Sequence, residues 1–302
     1  MKRVRHSYIT DFYRQLLTRY QPLTADTYAD NASNFIQYLE SKKISLYDVT
    51  NQDIDRYMSY LKNKGYSNST ISIRAISAYY FCKYLSDDGK NPNTFKMPKL
   101  PPDDRNLKER TSLSEVELYD FINKTSKIKE PYSIALKIMA YTGMRIGEIV
   151  KLKISDITVK NNKLFFYFVS EKSNKKRLVP IIDKLSECLK DYLSNWLKPF
   201  YIKYSKRKNR QYLLPSLKHD RYIDITTLRK QFDIIAKEIN RTDITPHSLR
   251  RTYLTILSKK GVSPFVLKML AGHAKYDTTS QYIVIDEDHL FSKASLLLDF
   301  GG

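Results

Sequence analysis

His247 and Arg250 stand three residues apart in TPHSLRR, and His273 and Tyr282 follow in AGHAKYDTTSQY, all within the last quarter of a 302-residue chain. A guanidinium, two imidazoles and a phenol are the groups needed to hold a phosphodiester and attack it. Thr245 and Pro246 suit an N-cap and first helical residue, so His247 and Arg250 share one helix face beside free backbone N–H groups, a setting that favours phosphate. Arg145, in TGMRIGE, sits among apolar neighbours at a glycine turn and needs an anionic partner; Glu148, three residues on, is the competing ion-pair explanation. Each signal alone is weak, since HxxR pairs are common on surfaces and Tyr282 is one of 24 tyrosines. Their joint occurrence carries the reading.

Charge points to the same partner. Lys and Arg number 52 against 32 Asp and Glu, a formal net charge of +20, and such a field attracts a polyanion and releases its counterions on binding. Nucleic acid is therefore the expected partner. A membrane is not, because no uninterrupted apolar run reaches the roughly 18 residues a span needs and the first 30 residues are polar and charged. The chain reads as soluble, not exported and cytoplasmic. Cys82 and Cys188 lie far apart without metal-ligand spacing, so neither a disulfide framework nor a zinc site is supported, and no cofactor is expected.

The elements that must position these groups fall into two domains. Residues 1–88 read as a small helical bundle: Tyr28, Ala32, Phe35, Ile36 and Leu39 recur at helical spacing, Thr50 is placed to cap a helix that Gly65 stops, and a third helix starts near Thr70 with Ile73, Ile76, Tyr80 and Tyr84 as its stripe. Residues 89–110, with Pro92, Pro98, Pro101 and Pro102, read as an extended linker. Residues 111–302 open on a capping box at Ser114 and Glu117. A small antiparallel sheet is expected from ITVKNNKLFFYFVS, with its Asn161-Asn162 turn, and from LVPII at 178–182. The connection from Ser170 to Arg177 then becomes a cationic hairpin loop carrying Lys172, Lys175, Lys176 and Arg177. The remainder reads helical apart from a basic loop near 206–211, expected to be solvated. The fold class is thus mainly α with a small antiparallel sheet.

Together these residues resemble the tyrosine recombinase (integrase) family over most of the chain. TGMRIGEIVKLKISDI resembles its first arginine box, EKSNKKRLVP its β-hairpin lysine segment, TPHSLRRT its HxxR box, and AGHAKYDTTSQY its last histidine and nucleophile. The resemblance implies an N-terminal SAM-like core-binding domain before an α+β catalytic domain. It also implies an enzyme that cleaves and rejoins DNA without ATP or metal, through a 3′-phosphotyrosyl bond and a Holliday junction. Tyr282 would be the nucleophile, with Tyr276 its nearest rival. Arg145, Arg250 and His273 would bind the nonbridging oxygens, His247 would take or relay the tyrosine proton, and Lys172 would be the general acid. Glu171 and Ser173 stand where the family commonly has glycine, so Lys175 competes with Lys172 for that role; Arg251 replaces a frequent histidine and Ala271 a usual leucine.

The family further implies double-stranded DNA with short inverted-repeat core sites and a homo-tetramer on two duplexes, with accessory proteins left open. Arg74, Lys175, Lys176, Arg177 and Arg251 are the candidate DNA contacts. Leu290, Phe291, Ala294, Leu297 and Leu298 form a last apolar stripe, which either folds back on its own domain or docks in a neighbouring subunit, with exchange favoured. The biological role lies between Xer-like dimer resolution and integration of a mobile element. A type IB topoisomerase-like nicking-closing enzyme and a noncatalytic DNA-binding protein are the alternatives.

Overall fold

The computed structural model describes residues 7–102, 111–170, 175–272 and 287–298, and these divide into two compact units that part between Glu109 and Arg110.

In the first unit, α1 (Ser7–Leu17), α2 (Pro22–Ser41), α3 (Asn51–Asn63) and α4 (Asn68–Asp87) enclose one core. Small residues let the two long helices approach: Ala25, Ala29 and Ala32 of α2 and Ala75 and Ala78 of α4 are fully buried. The cap on α3 forms as the sequence suggests, with Thr50 N–H and Oγ1 both 2.9 Å from Asp53 Oδ2 and Gly65 at φ 78° beyond its end. The seam of α4 does not follow Ile73, Ile76 and Tyr80, which are only half-buried; Ile71, Ala75, Ala78, Phe81 and Leu85 form it. Burying the alanine-bearing face gains closer packing than the bulkier neighbouring face would allow. Helix α1 went unrecognised in the sequence, yet its Ile9, Phe12 and Leu16 are buried, with Phe12 edge-on to Phe81 at 5.4 Å.

The stretch expected to be linker is extended, but its first part lies against this unit. Asn91 donates through Nδ2 to the carbonyls of Leu46 (2.8 Å) and Val49 (3.1 Å), Asn51 grips the backbone of Thr94 and Lys96, and Phe95 is buried.

The second unit is built around α6 (Tyr132–Thr142), a helix buried on nearly every side and therefore apolar all round. Against it pack α5 (Glu115–Lys124), α8 (Asp183–Asp191), α10 (Ile225–Glu238) and α11 (Pro246–Lys259), with the short α7 (Ile146–Ile149), α9 (Lys198–Lys203) and α12 (Pro264–Ala271) completing the shell. The sheet is a meander of β1 (Ile157–Lys160), β2 (Lys163–Ser170) and β3 (Lys175–Ile181), antiparallel throughout. Asn161 and Asn162 turn β1 into β2 at φ 48° and 58°, the left-handed pair that a two-residue hairpin of matching twist requires. β3 starts at Lys175, three residues earlier than expected, so Lys175 to Arg177 belong to the strand; Ser170 pairs with Lys175 and Phe168 with Arg177.

Helix α13 (Glu287–Ser295) lies on the sheet of its own chain. Phe291 meets Phe165 edge-on at 5.9 Å, Lys163 Nζ reaches Asp288 at 2.8 Å, Lys160 pairs with Glu287, and Leu290, Ala294 and Leu297 enter the core. The fold-back arrangement is thus the one the single chain adopts. The loop after α9 is ordered rather than simply solvated: Arg207 donates to the carbonyls of Ser216, Leu217 and His219 while lying over Phe200, and Asp220 accepts from the N–H groups of Lys208 and Asn209. No helix among the described residues is long and apolar enough to cross a membrane.

The capping box of α5 extends into a tertiary tie. Ser114 N–H donates to Glu117 Oε2 at 2.7 Å, and Glu117 Oε1 accepts from Arg241, which also forks onto Asp243. The Ser114 amide, and after it Arg241, hold the Glu117 carboxyl below its usual range. A carboxyl depressed in the folded state contributes stability above its unfolded value of about 4.3 and loses it as pH falls through the folded value. Glu117→Gln keeps an acceptor for the Ser114 N–H but loses the charge facing Arg241, and is accordingly expected to lower Tm by about 2–4 °C at pH 7, equivalent to about 1 kcal/mol. Thermal melts in a pH series should show the gap to wild type closing below about pH 4; a gap that persists there would refute the assignment.

Candidate functional site

Two helix starts and one helix end build the site. α6 stops at Gly143, whose φ of 59° reverses the chain, and Arg145 follows in the N-cap position of α7 with extended backbone. Gly143 has no substitute here, because a Cβ would fall 2.7 Å from the ring of Tyr253. Glu148, at the third position of α7, accepts the Arg145 N–H at 3.0 Å through Oε2 and Arg145 Nη1 at 3.1 Å through Oε1. The cap therefore fixes the arginine backbone and side chain together.

Opposite stands the start of α11. Thr245 and Pro246 take the N-cap and first helical positions, and Thr245 N–H donates to Ser248 Oγ at 3.0 Å. His247 is exposed at this end, whereas Arg250, one turn inward, is 3% exposed. Arg250 Nη1 donates to the Gly143 carbonyl at 2.8 Å and Nη2 to the Ala271 carbonyl. Arg145, His247 and Arg250 line one cavity of about 530 Å³, to which Arg229 and Asp233 of α10 contribute an exposed wall and Met144 an apolar one.

Behind the cavity lies Arg177. Its side chain is 5% exposed; Nη1 meets Glu148 Oε2 at 2.5 Å, Nη2 donates to the Leu270 carbonyl at 2.8 Å, and the guanidinium lies over Phe168. Ser170 Oγ donates to the second Glu148 oxygen at 3.1 Å. Arg177 thus does not present itself to DNA, correcting its place among the candidate DNA contacts: strand alternation turns it inward and Lys176 outward, where Lys176 is exposed with its Nζ 6.0 Å from the Tyr167 ring. Arg251 is half-buried and donates to the Thr111 carbonyl at 3.1 Å. In the first unit, Arg74 is half-buried over the ring of Tyr66 at 4.2 Å.

The electrostatics follow from this crowding. Burial pushes the Glu148 carboxyl upward, but Arg177 and Arg145 outweigh it and leave the group below the usual carboxylate range. Arg250 is pulled down to about 10, first by burial and then by the like charges of Arg145 and Arg177. It remains a cation at neutral pH, held where a further anion would relieve the repulsion. Burial raises the Tyr253 phenol, which stays neutral beside these arginines.

Lys172, His273, Tyr276 and Tyr282 lie outside the described residues, as does the side chain of Lys175. By chain position, Lys172 falls between the end of β2 and the start of β3, and His273 directly follows Gly272, the left-handed C-cap of α12. Of the expected site residues, the structure brings together Arg145, His247 and Arg250. Sequence reasoning gave Glu148 only the role of a competing ion pair and did not single out Arg229 or Asp233, whose place in the wall depends on the packing of α10.

A helical unit thus precedes a mainly α unit with a small sheet, in which guanidiniums gather beside one carboxylate at a cavity. Residues 111–289 match the phage integrase family, and residues 9–89 match the SAM-like N-terminal domain of phage integrases. The chain belongs to this family, the tyrosine recombinases, which carry out site-specific recombination by cleaving and rejoining DNA strands. It is 30% identical over 251 residues to tyrosine recombinase XerA of Pyrococcus furiosus, covering 81% of this chain and 79% of that one. It is 23% identical over 292 residues to tyrosine recombinase XerC of Staphylococcus saprophyticus, covering 96% and 95%. The fold resembles that of XerH site-specific recombinase in a pre-cleavage complex with its difH substrate, with a TM-score of 0.65 at 22% identity over 95% of this chain and 83% of that one. It also resembles a lambda integrase dimer on a core site, with a TM-score of 0.64 at 17% identity over 91% and 93%.

Gly143→Ala combines a left-handed backbone with a Cβ in contact with Tyr253, and is expected to cost about 1–3 kcal/mol or more. Urea denaturation of the full chain measures this; a change within 0.5 kcal/mol would refute the packing described.

Proposed function

We propose that the cavity between α7 and α11 receives the scissile phosphate and that Tyr282 attacks it, leaving a 3′-phosphotyrosyl bond and a free 5′-hydroxyl. The observation that carries this reading is the convergence of Arg145, His247 and Arg250 on one cavity with a surplus of buried positive charge. Forked guanidinium donors suit the nonbridging oxygens as charge builds on the pentacoordinate phosphorus. Arg145 and Arg250 take that role, and His273 adds a hydrogen bond to the same oxygens. A phenol of pKa near 10 is a poor nucleophile at neutral pH, so the surrounding cations favour its ionised form while His247 accepts or relays the proton. Lys172 protonates the departing 5′-oxygen, with Lys175 the alternative. The covalent bond conserves the energy of the broken phosphodiester, and a second exchange across partner strands gives the Holliday junction.

The partner is double-stranded DNA with short inverted-repeat core sites, bound by four copies across two duplexes in the cytoplasm. Lys175, Lys176, Arg251 and Arg74 supply phosphate and groove contacts. Residues 1–88 act as the core-binding domain, residues 89–110 connect it, and residues 111–302 perform the chemistry. The biological role is either Xer-like dimer resolution or integration and excision of a mobile element: relatives carry Xer names, and the fold also resembles an integrase.

The full chain is to be incubated with nicked duplexes enriched from a random-sequence pool by binding, so that cleavage releases a short fragment and traps the intermediate. A covalent protein–DNA adduct is expected on denaturing gels, with the nucleotide on the peptide containing Tyr282. Tyr282→Phe should abolish it and Arg250→Ala should slow it about 100-fold, as for loss of one donor to a developing oxyanion. An adduct that survives Tyr282→Phe, with Tyr276 carrying the nucleotide, would overturn the assignment.

A further inference from the structure

Arg177 has no part in the chemistry above, yet it bonds to the supports of both arms of the phosphate clamp. Nη1 grips Glu148, the carboxylate that fixes the backbone and side chain of Arg145. Nη2 grips the Leu270 carbonyl, one residue before the Ala271 carbonyl that receives Arg250. Gly272 lies flat against the same guanidinium, where a Cβ would come within 2.3 Å of Nε and 2.6 Å of Cζ. That Nε is buried and has no partner among the described residues. A buried cation with one donor unused is a poor way to stabilise a core, where packed apolar residues are usually as good or better. Its geometry serves another purpose: one rigid fork spans β3, α7 and the end of α12, so that the two clamp arginines cannot move independently.

We propose that Arg177 is a positioning residue for strand cleavage, setting the spacing of Arg145 and Arg250 through Glu148 and the α12 terminus without touching DNA. The inference rests on the reading of those two arginines as the phosphate clamp. It requires the planar fork and not merely a positive charge. Lysine at 177 keeps the charge, but its single ammonium cannot hold a carboxylate and a carbonyl along two fixed directions. A misplacement of about 1 Å at a reacting centre costs on the order of 100-fold in rate.

The test is single-turnover cleavage of the nicked duplex by the full chain across a range of protein concentrations, which separates the maximal rate from half-saturation. Arg177→Lys is expected to lower the maximal rate about 30- to 100-fold, leave half-saturation within about twofold and shift Tm by only a few degrees. Glu148→Gln keeps the shape but removes the charge that both arginines grip, and is expected to show the same split; it also serves if the Arg177 variant does not fold. Because both changes break one linkage, the double variant should be no more than about threefold slower than the slower single variant, whereas independent effects would multiply. Cleavage by Arg177→Lys at the wild-type rate, a loss confined to binding, or multiplicative effects would each overturn the proposal. Absence of adduct in the wild-type chain would instead remove the catalytic reading beneath it.

Discussion

Two guanidinium groups pair with one carboxylate, and a third lies within its field. Arg145, Arg177 and Arg250 gather at the junction of α7, β3 and α11, and Glu148 is the acid between them. The remaining compensation is dipolar, from the carbonyls of Gly143, Leu270 and Ala271. Two cations in such a place are tolerated only while hydrogen bonds satisfy them, and their mutual repulsion persists. Burial first and that repulsion second pull Arg250 down to about 10. In the reading proposed for this cavity, an entering phosphodiester supplies the missing charge, so that binding an anion also relieves the mutual repulsion. Charges already fixed in this way would need little reorganisation on meeting an anion.

The surrounding elements hold this arrangement open. Were Arg145 to sit on a loop, its carboxylate partner would collapse onto it and cancel the charge. The N-cap of α7 prevents collapse by spending one Glu148 oxygen on the backbone N–H and on Arg177, leaving a single bond to the Arg145 side chain. The buried α6 fixes where that turn begins, and Gly143 keeps its carbonyl directed at Arg250. At the other end, the α11 cap orients His247 and Arg250 one turn apart, one exposed and one buried, which divides the work between the cavity rim and its floor.

Much of this was legible in the residues and some of it was not, for identifiable reasons. The Ser114–Glu117 and Thr50 caps, the Asn161-Asn162 turn, the placement of Pro246 and the glycine stop after α6 are local, and local chemistry reads directly from sequence. The seam of α4 was misplaced because alanines carry little weight in a hydrophobic pattern while permitting the closest helix approach. Helix α1 was missed although Ile9, Phe12 and Leu16 stand at helical spacing, because a stripe of three residues is short. Arg177 was misread because a run of cations looks uniform until its secondary structure is fixed: as loop, Lys176 and Arg177 are equivalent, but in the strand Lys176 faces out and Arg177 in. The three-residue shift in the start of β3 therefore converts a supposed DNA contact into a buried tie.

The identity of the hub acid follows from the same geometry. Asp53 holds the corresponding third position of α3, and there a short side chain suffices, since it serves the Thr50 cap and an arginine on its own helix. Glu148 caps in the same way but must also meet Ser170 and Arg177 on the neighbouring strands. One additional methylene supplies that reach. A shorter acid at 148 would keep the local cap and surrender the tie to β3, leaving Arg177 buried without its counter-ion and Arg145 fixed at its backbone alone. The same helix-start motif thus becomes a tertiary and electrostatic device by a change of side-chain length, which is why the Arg145 ion pair was visible in the sequence and the cap and the tie to β3 were not.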